Sequence, residues 1–131
     1  HCLGISRHSN TAALFERAQK LGVSWVEDLD LRADRFEPIE RDLRAFLTRY
    51  PRIYLTVCLD VLPGAVAPGV SEPAALGVDP ALVDRLVEVV VASGQVAIAD
   101  VAELNPRFDQ DDRTARIAAR FVAHIATAVR R

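Results

Sequence analysis

The sequence has only two cysteines, Cys2 and Cys58, which are too few for a disulfide framework. A reducing compartment, the cytoplasm, is therefore expected. No apolar run approaches the roughly 18 residues of a membrane span, so no membrane partner is predicted. Basic and acidic residues are nearly balanced, 16 against 18, and no five like charges follow one another. This balance gives no electrostatic basis for binding nucleic acid.

The composition is that of a packed protein. Hydrophobic residues make up 50% and charged residues 26% of the chain, which predicts an ordered core. A length of 131 residues suits one domain or part of a larger one. No signal peptide is recognisable, and the first five residues resemble the middle of a β-strand. We therefore expect the sequence to start within a longer protein.

Short apolar runs alternate with segments of helical period along the chain. Strands are predicted at 2–5, 23–27, 53–59 and 96–101. Helices are predicted at 11–21, at 38–49, between Asp79 and Gly94, and at 112–129, with Asn10 and Asp79 as N-caps. This succession predicts an α/β fold, in which a parallel sheet of about four strands has helices on both faces.

Ligands of open parallel sheets bind at the carboxyl ends of the strands, so polar residues just after each strand are candidates. The sharpest pair is Cys58 and Asp60, which are two residues apart and would lie on the same side of a strand. A thiol beside a carboxylate can hold a divalent cation. The alternative is a buried cysteine beside a carboxylate that caps a turn, and the residue pattern alone favours it.

Two longer patterns surround these candidates. The stretch TVCLDVLPGAVAPG at 56–69, followed by Gly77, resembles the third signature of the ureohydrolase superfamily, which includes arginase and agmatinase. The stretch DVAELNP at 100–106 resembles that superfamily's Asp-x-x-Glu-x-Asn-Pro element. The resemblance covers essentially the whole chain. It implies an arginase-like three-layer α/β fold, of which residues 1–131 form the carboxyl-terminal part of a single ureohydrolase domain.

Within the superfamily, CLDVLP followed by APGVS resembles the formimidoylglutamase branch. The resemblance implies a hydrolase that uses two manganese ions to activate water. The reaction would cleave the formimidoyl C–N bond of N-formimidoyl-L-glutamate, giving glutamate and formamide in histidine degradation. Asp60 is the implied metal ligand. Cys58 stands where most members have an aspartate, so it is a ligand, a group next to a ligand, or a site of lost affinity. Glu103 is the implied catalytic carboxylate, which faces the cationic amidine.

The loop after the first strand points to an acidic substrate. Arginase-like proteins place acidic residues there, which meet the amine of their substrate. In this chain, Arg7, Ser9 and Asn10 make the loop basic and polar. Arg7 can form a fork to a substrate carboxylate, and these three residues are the predicted substrate-binding group. An exposed arginine at the start of a helix is an equal alternative for Arg7.

Three other interpretations stay open. The first is another ureohydrolase, such as agmatinase or arginase. The second is a truncated, non-catalytic remnant, because nothing in the sequence matches the superfamily's Asp-Ala-His-type metal motif. On that ground the chain alone is expected to be inactive. The third is a flavodoxin-like regulatory domain, which leaves both motifs unexplained. The predicted partner is a small-molecule substrate, with homo-oligomerisation also open.

Overall fold

Strands and helices alternate along the chain, in the predicted order. The computed structural model describes residues 1–128, so residue 129 of the predicted last helix lies outside the described part. The strands are β1 (Cys2–Ile5), β2 (Trp25–Glu27), β3 (Ile53–Cys58) and β4 (Val96–Ala102). The helices are α1 (Ala12–Lys20), α2 (Phe36–Leu47), α3 (Pro80–Ala92) and α4 (Arg113–Ala128). None of the helices in residues 1–128 is both long and apolar enough to cross a membrane.

The strands pair in parallel, as predicted. β1 pairs with β2, and β3 pairs with β4. Within the described residues these are two separate pairs, whereas a continuous sheet of about four strands was expected. Residues of β1 and of β3 line one cavity, and these two strands do not pair with each other.

Helices cover both faces of the β1–β2 pair. On one face, the ring of Phe15 in α1 packs edge-on against Trp25, with the centroids 5.6 Å apart. On the other face, Leu3 and Val26 pack against the buried core that α2 and α3 share. The buried side of α3 is built from leucine and valine at helical spacing, which explains why this helix forms the middle of the core.

The β3–β4 pair has one covered face and one open face. Val57 is buried against the core, whereas Tyr54 and Ile98, which lie opposite each other in register, are 65% and 64% exposed. Tyr54 therefore lies outside the core. The Tyr54 hydroxyl instead donates to the carboxylate of Asp100 on the neighbouring strand.

The helix caps agree only in part with the sequence. Asp79 caps α3 as predicted, because its Oδ1 accepts from the Ala81 N–H at 2.7 Å. Asn10 does not cap α1, since the N-cap position is Thr11. The Asn10 amide instead donates from Nδ2 to the Ser6 carbonyl at 2.8 Å. Asn10 therefore stabilises the loop after β1 and leaves the helix end without a side-chain cap.

The loop between β3 and α3 folds back onto the end of β3. The Val78 N–H donates to the Val61 carbonyl, and the Gly64 N–H donates to the Ala74 carbonyl, each at 2.8 Å. Gly77 closes the loop with a φ of +65°, and a β-carbon there would lie 2.4 Å from the backbone nitrogen of Pro63. Only glycine fits both the conformation and the close approach.

Gly77→Ala should destabilise the chain by about 2–4 kcal/mol, because a methyl group would add overpacking to left-handed strain. Gly22→Ala is a matched control, since Gly22 has a φ of +70° and nothing within 4 Å of its β-position. The control should lose only about 1 kcal/mol. Urea unfolding of both variants measures the difference. Equal losses would show that the contact with Pro63 contributes nothing.

Candidate active site

The register of β3 against β4 brings two carboxylates to one edge of the sheet. The last paired residues are Cys58 and Ala102, so the chain leaves both strands at the same level. Asp60 follows β3 in a single 3-10 turn, Leu59–Val61, and Glu103 follows β4 directly. The fully buried Leu59 fixes that turn in the core. The paired ends of β3 and β4 therefore determine the positions of both acidic groups.

The carboxylate of Asp60 is short of partners. Its Oδ1 is buried and has no hydrogen-bond partner among the described residues. Burial raises the pKa of Asp60, and the negative charge of Glu103 raises it further. A buried carboxylate oxygen without a donor is costly. Such a group is typical of a site that takes up a proton or a cation.

Cys58 touches Asp60 through the turn. The backbone of Asp60 lies near the Cys58 thiol and acts to lower its pKa. Cys58 is the last residue of β3 and Asp60 lies in the turn, so the predicted strand pleat is not what brings them together. Partial burial raises the pKa of the Cys58 thiol, and the charges of Asp60 and Glu103 add to the rise. The thiol is therefore protonated near neutral pH and would have to lose that proton to bind a metal.

Glu103 adopts a strained backbone conformation. Its φ is +74°, in the left-handed region that non-glycine residues rarely enter. Its Oε2 accepts from the Ser71 hydroxyl at 3.3 Å. Strain of this kind costs of order 1–3 kcal/mol and clusters at functional sites. Because of this conformation, the Glu103 side chain does not continue the up-and-down alternation of side chains along β4.

The loop beside Glu103 is fastened to α4 by residues that the sequence patterns did not single out. The Gly69 N–H donates to Thr114 Oγ1 at 2.8 Å, and Thr114 is fully buried. Asp109 accepts from the backbone N–H groups of Thr114 and Ala115 at 3.0 and 2.9 Å, which caps the helix. The Asn105 N–H donates to the Gly69 carbonyl at 2.7 Å. An acidic residue just before a predicted helix was the available signal.

Arg7 is bound within the protein. Its Nε donates to Glu27 Oε2 at 3.0 Å, and its Nη2 donates to Glu27 Oε1. Its guanidinium also lies 4.7 Å from the ring centroid of Phe15. The hydrogen bond between the two side chains raises the pKa of Arg7 and lowers that of Glu27. The Arg7 side chain nevertheless stays 57% exposed, so a ligand can still approach it.

The predicted residues thus fall into two groups. Cys58, Asp60 and Glu103 influence one another at the end of the β3–β4 pair. Arg7, the exposed Ser9 and Asn10 lie in the loop after β1. Within residues 1–128, no three or more histidine, cysteine, aspartate or glutamate side chains are arranged to hold a metal ion.

The parallel strand pairs and the helices that alternate with them define an α/β protein. The family model described as the Arginase family matches residues 1–127, and the chain belongs to this family. The predicted superfamily is therefore confirmed.

Curated relatives that match nearly the whole chain are named formimidoylglutamase. The chain is 50% identical over 128 residues to that of Ralstonia nicotianae, covering 98% of this chain and 39% of the relative. It is also 50% identical over 129 residues to that of Aromatoleum aromaticum, covering 98% of this chain and 38% of the relative. The chain therefore spans under two fifths of the length of these curated relatives.

Solved structures confirm the arginase-like α/β fold. The formimidoylglutamase of Bacillus subtilis matches with a TM-score of 0.87 and 26% identity, covering 96% of this chain and 40% of that chain. The arginase of Bacillus caldovelox matches with a TM-score of 0.79 and 19% identity, covering 88% of this chain and 39% of that chain. The second likeness concerns the fold alone.

Asp60→Asn should stabilise the chain by about 1 kcal/mol at about pH 7 and have little effect at about pH 3. The pKa of Asp60 is raised above the ordinary value of 3.8, so the folded chain holds this proton more tightly than the unfolded chain. Stability from this group is therefore greatest below the unfolded pKa and is lost as pH rises through the folded pKa. Asparagine removes that loss, because it does not ionise.

Urea unfolding at both pH values measures this effect. Asp42→Asn is the control, since the Asp42 side chain is 74% exposed on α2. The control should shift stability equally at both pH values. A loss of stability for Asp60→Asn that grows toward neutral pH would contradict the assignment.

Proposed function

We propose that residues 1–131 form the carboxyl-terminal part of a single ureohydrolase domain in a cytoplasmic formimidoylglutamase. The complete enzyme would hydrolyse N-formimidoyl-L-glutamate to glutamate and formamide, a step of histidine degradation. Half of the residues are identical to those of two proteins named formimidoylglutamase. The observation that carries the proposal is the buried Oδ1 of Asp60, which has no hydrogen-bond partner within residues 1–128 and lies beside Cys58 and Glu103.

A manganese site fits Asp60. Carboxylate oxygens are the ligands that manganese prefers, and the Asp60 Oδ1 has no donor among the described residues. Cys58 fits less well, because a thiolate suits softer metals and the pKa of this thiol is raised by burial. A bound pair of manganese ions would supply Lewis acidity and lower the pKa of water at the site. Asp60 would hold an ion, with Cys58 as a further ligand or its neighbour, and other groups would complete the set.

Glu103 is proposed as the catalytic carboxylate. A planar amidinium presents paired N–H donors, which one carboxylate accepts side by side. The left-handed backbone at Glu103 sets the direction in which the side chain leaves the main chain, and the Ser71 hydroxyl orients Oε2. Because a cationic amidine neutralises the local charge, its binding would also ease the repulsion that raises the pKa of Asp60.

Arg7, Ser9 and Asn10 are proposed to bind the glutamate portion of the substrate. Glu27 holds the Arg7 guanidinium 4.7 Å from the centroid of the Phe15 ring, which lowers the entropy lost when a carboxylate binds. Asn10 keeps the loop in place through Ser6, and the hydroxyl of the exposed Ser9 can donate to the same ligand.

The Arg7–Glu27 ion pair also supports a second candidate function. Because Glu27 compensates the charge of Arg7, the loop is less basic than its sequence indicates. A ureohydrolase for a guanidine substrate, such as agmatinase or arginase, is therefore the alternative. The incomplete metal group within residues 1–128 also favours a chain that does not turn over substrate on its own.

The test uses a joined protein, in which this chain replaces the matching stretch of the Ralstonia nicotianae relative. Glu103→Gln should lower kcat/KM for N-formimidoyl-glutamate by about ten- to a hundredfold, because a charge-assisted hydrogen bond is lost. Arg7→Ala should cause a loss of about the same size, mainly through KM. Steady-state kinetics measures both.

A double variant separates substrate binding from the internal ion pair. Arg7→Ala leaves the Glu27 carboxylate without its partner, whereas Arg7→Ala with Glu27→Gln removes both charges. If Arg7 binds the substrate, the double variant should stay impaired. Full recovery in the double variant would mean that Arg7 serves only the ion pair, and the argument for an acidic substrate would fail.

A further inference from the structure

Residues 70–74 pass beside the candidate active site as a short bridge that is fixed at both ends. At the start, Val70 is 1% exposed and belongs to the hydrophobic core. At the end, Ala74 pairs with Pro63 in an isolated parallel β-bridge, and its carbonyl accepts from the Gly64 N–H at 2.8 Å. Only three residues lie between these two anchors, so their backbone has little freedom to move away from the end of β3.

This bridge places Glu72 beside both carboxylates of the site. The hydroxyl of the neighbouring Ser71 donates to Glu103 Oε2 at 3.3 Å. The backbone of Glu72 itself lies near the Asp60 carboxylate and acts to lower its pKa. Glu72 is therefore held between the two acidic groups by its main chain, and the residue is exposed to solvent.

The Glu72 carboxylate adds a third negative charge to this site. Burial has the largest effect on the pKa of Asp60 and raises it, and the charges of Glu103 and Glu72 raise it further. No ion pair within residues 1–128 involves any of these three groups. The Cys58 thiol, which is protonated near neutral pH, contributes no charge of its own. The site therefore holds a concentration of negative charge that the described residues do not balance.

Such an imbalance favours a divalent cation, because a carboxylate attracts a doubly charged ion more strongly than a singly charged one at the same distance. The buried Oδ1 of Asp60, which has no hydrogen-bond partner in the described part of the chain, is the oxygen that can receive such an ion. An exposed carboxylate such as that of Glu72 acts on the same ion through solvent. Its effect is therefore moderate and is screened by salt.

We propose that Glu72 is a further residue of the metal site, whose negative charge strengthens the binding of the manganese ion that Asp60 holds, without Glu72 becoming a ligand. The proposal rests on the proposed manganese site, because without a cation at Asp60 the three charges only repel one another. Glu72 adds to that site, since it lies outside the two stretches that resemble the superfamily, 56–69 and 100–106. The role needs the charge of Glu72 at this point of the chain and no particular orientation of its side chain.

The test is the dissociation constant for manganese of the joined protein described above, stripped of metal with a chelator and titrated against a metal-binding dye. At about 0.02 M salt, Glu72→Gln should raise this constant by about three- to tenfold, because one unit of negative charge is lost. At about 0.5 M salt, the increase should fall below about twofold, because salt screens exposed charges. Glu72→Asp keeps the charge and should stay within about twofold of the unmodified protein at both salt concentrations.

Glu16→Gln is the matched control, because Glu16 is an exposed glutamate on α1, the helix that packs against the β1–β2 pair. It should leave the constant unchanged at both salt concentrations. An increase for Glu72→Gln that does not depend on salt, or that Glu72→Asp shares, would mean that the bridge is merely distorted and would overturn the proposal. Unchanged affinity in Glu72→Gln, beside tight binding by the unmodified protein, would overturn it and leave the manganese site standing. An unmodified joined protein that binds no manganese would overturn both.

Discussion

The parallel pairing of β3 with β4 is the constraint on which the candidate site depends. The register from Tyr54 opposite Ile98 to Cys58 opposite Ala102 fixes where both strands end. Glu103 follows β4 directly, and Asp60 lies just beyond the end of β3. A shift of the strand register by one residue would therefore separate their charges and turn side chains to the other face of the sheet. The buried valines and leucines of α3 share one core with Val57 of β3, and the Gly69 N–H is anchored to Thr114 at the start of α4.

The candidate site also illustrates a conflict between stability and function. Asp60 has a buried oxygen that finds no donor in the described part of the chain, and Glu103 has a left-handed backbone conformation. Each feature destabilises the isolated chain, and a ligand of opposite charge would relieve the first of them. The anchors around them carry no such strain, since the fully buried Thr114 bonds the Gly69 backbone. A rigid support beside a strained carboxylate is what a preorganised site requires.

Much of the fold could be predicted from local patterns. The apolar run of β3, the valine-rich α3 and the Asp79 cap follow from periodicity and capping rules. The Arg7–Glu27 pair could not be predicted, because it depends on the β1–β2 register that sets Ile5 opposite Glu27. The exposure of Tyr54 could not be predicted either.

A strand pattern shows which residues share a face, but it does not show whether that face is covered. For the same reason, the patterns around Asp60 and Glu103 led to a family, whereas their strain and lack of partners appear only in three dimensions. The cavity between β1 and β3 is likewise a product of strand pairing, which no single segment of the sequence reveals.

The most direct test of the account is the amount of manganese that the joined protein retains after dialysis, measured by mass spectrometry. The account predicts about two ions per protein, falling to about one or fewer in Asp60→Asn, because a charged ligand is lost. The exposed Asp42→Asn control should retain both ions. Full manganese retention in Asp60→Asn would contradict the claim that this carboxylate, at the end of β3, holds the metal.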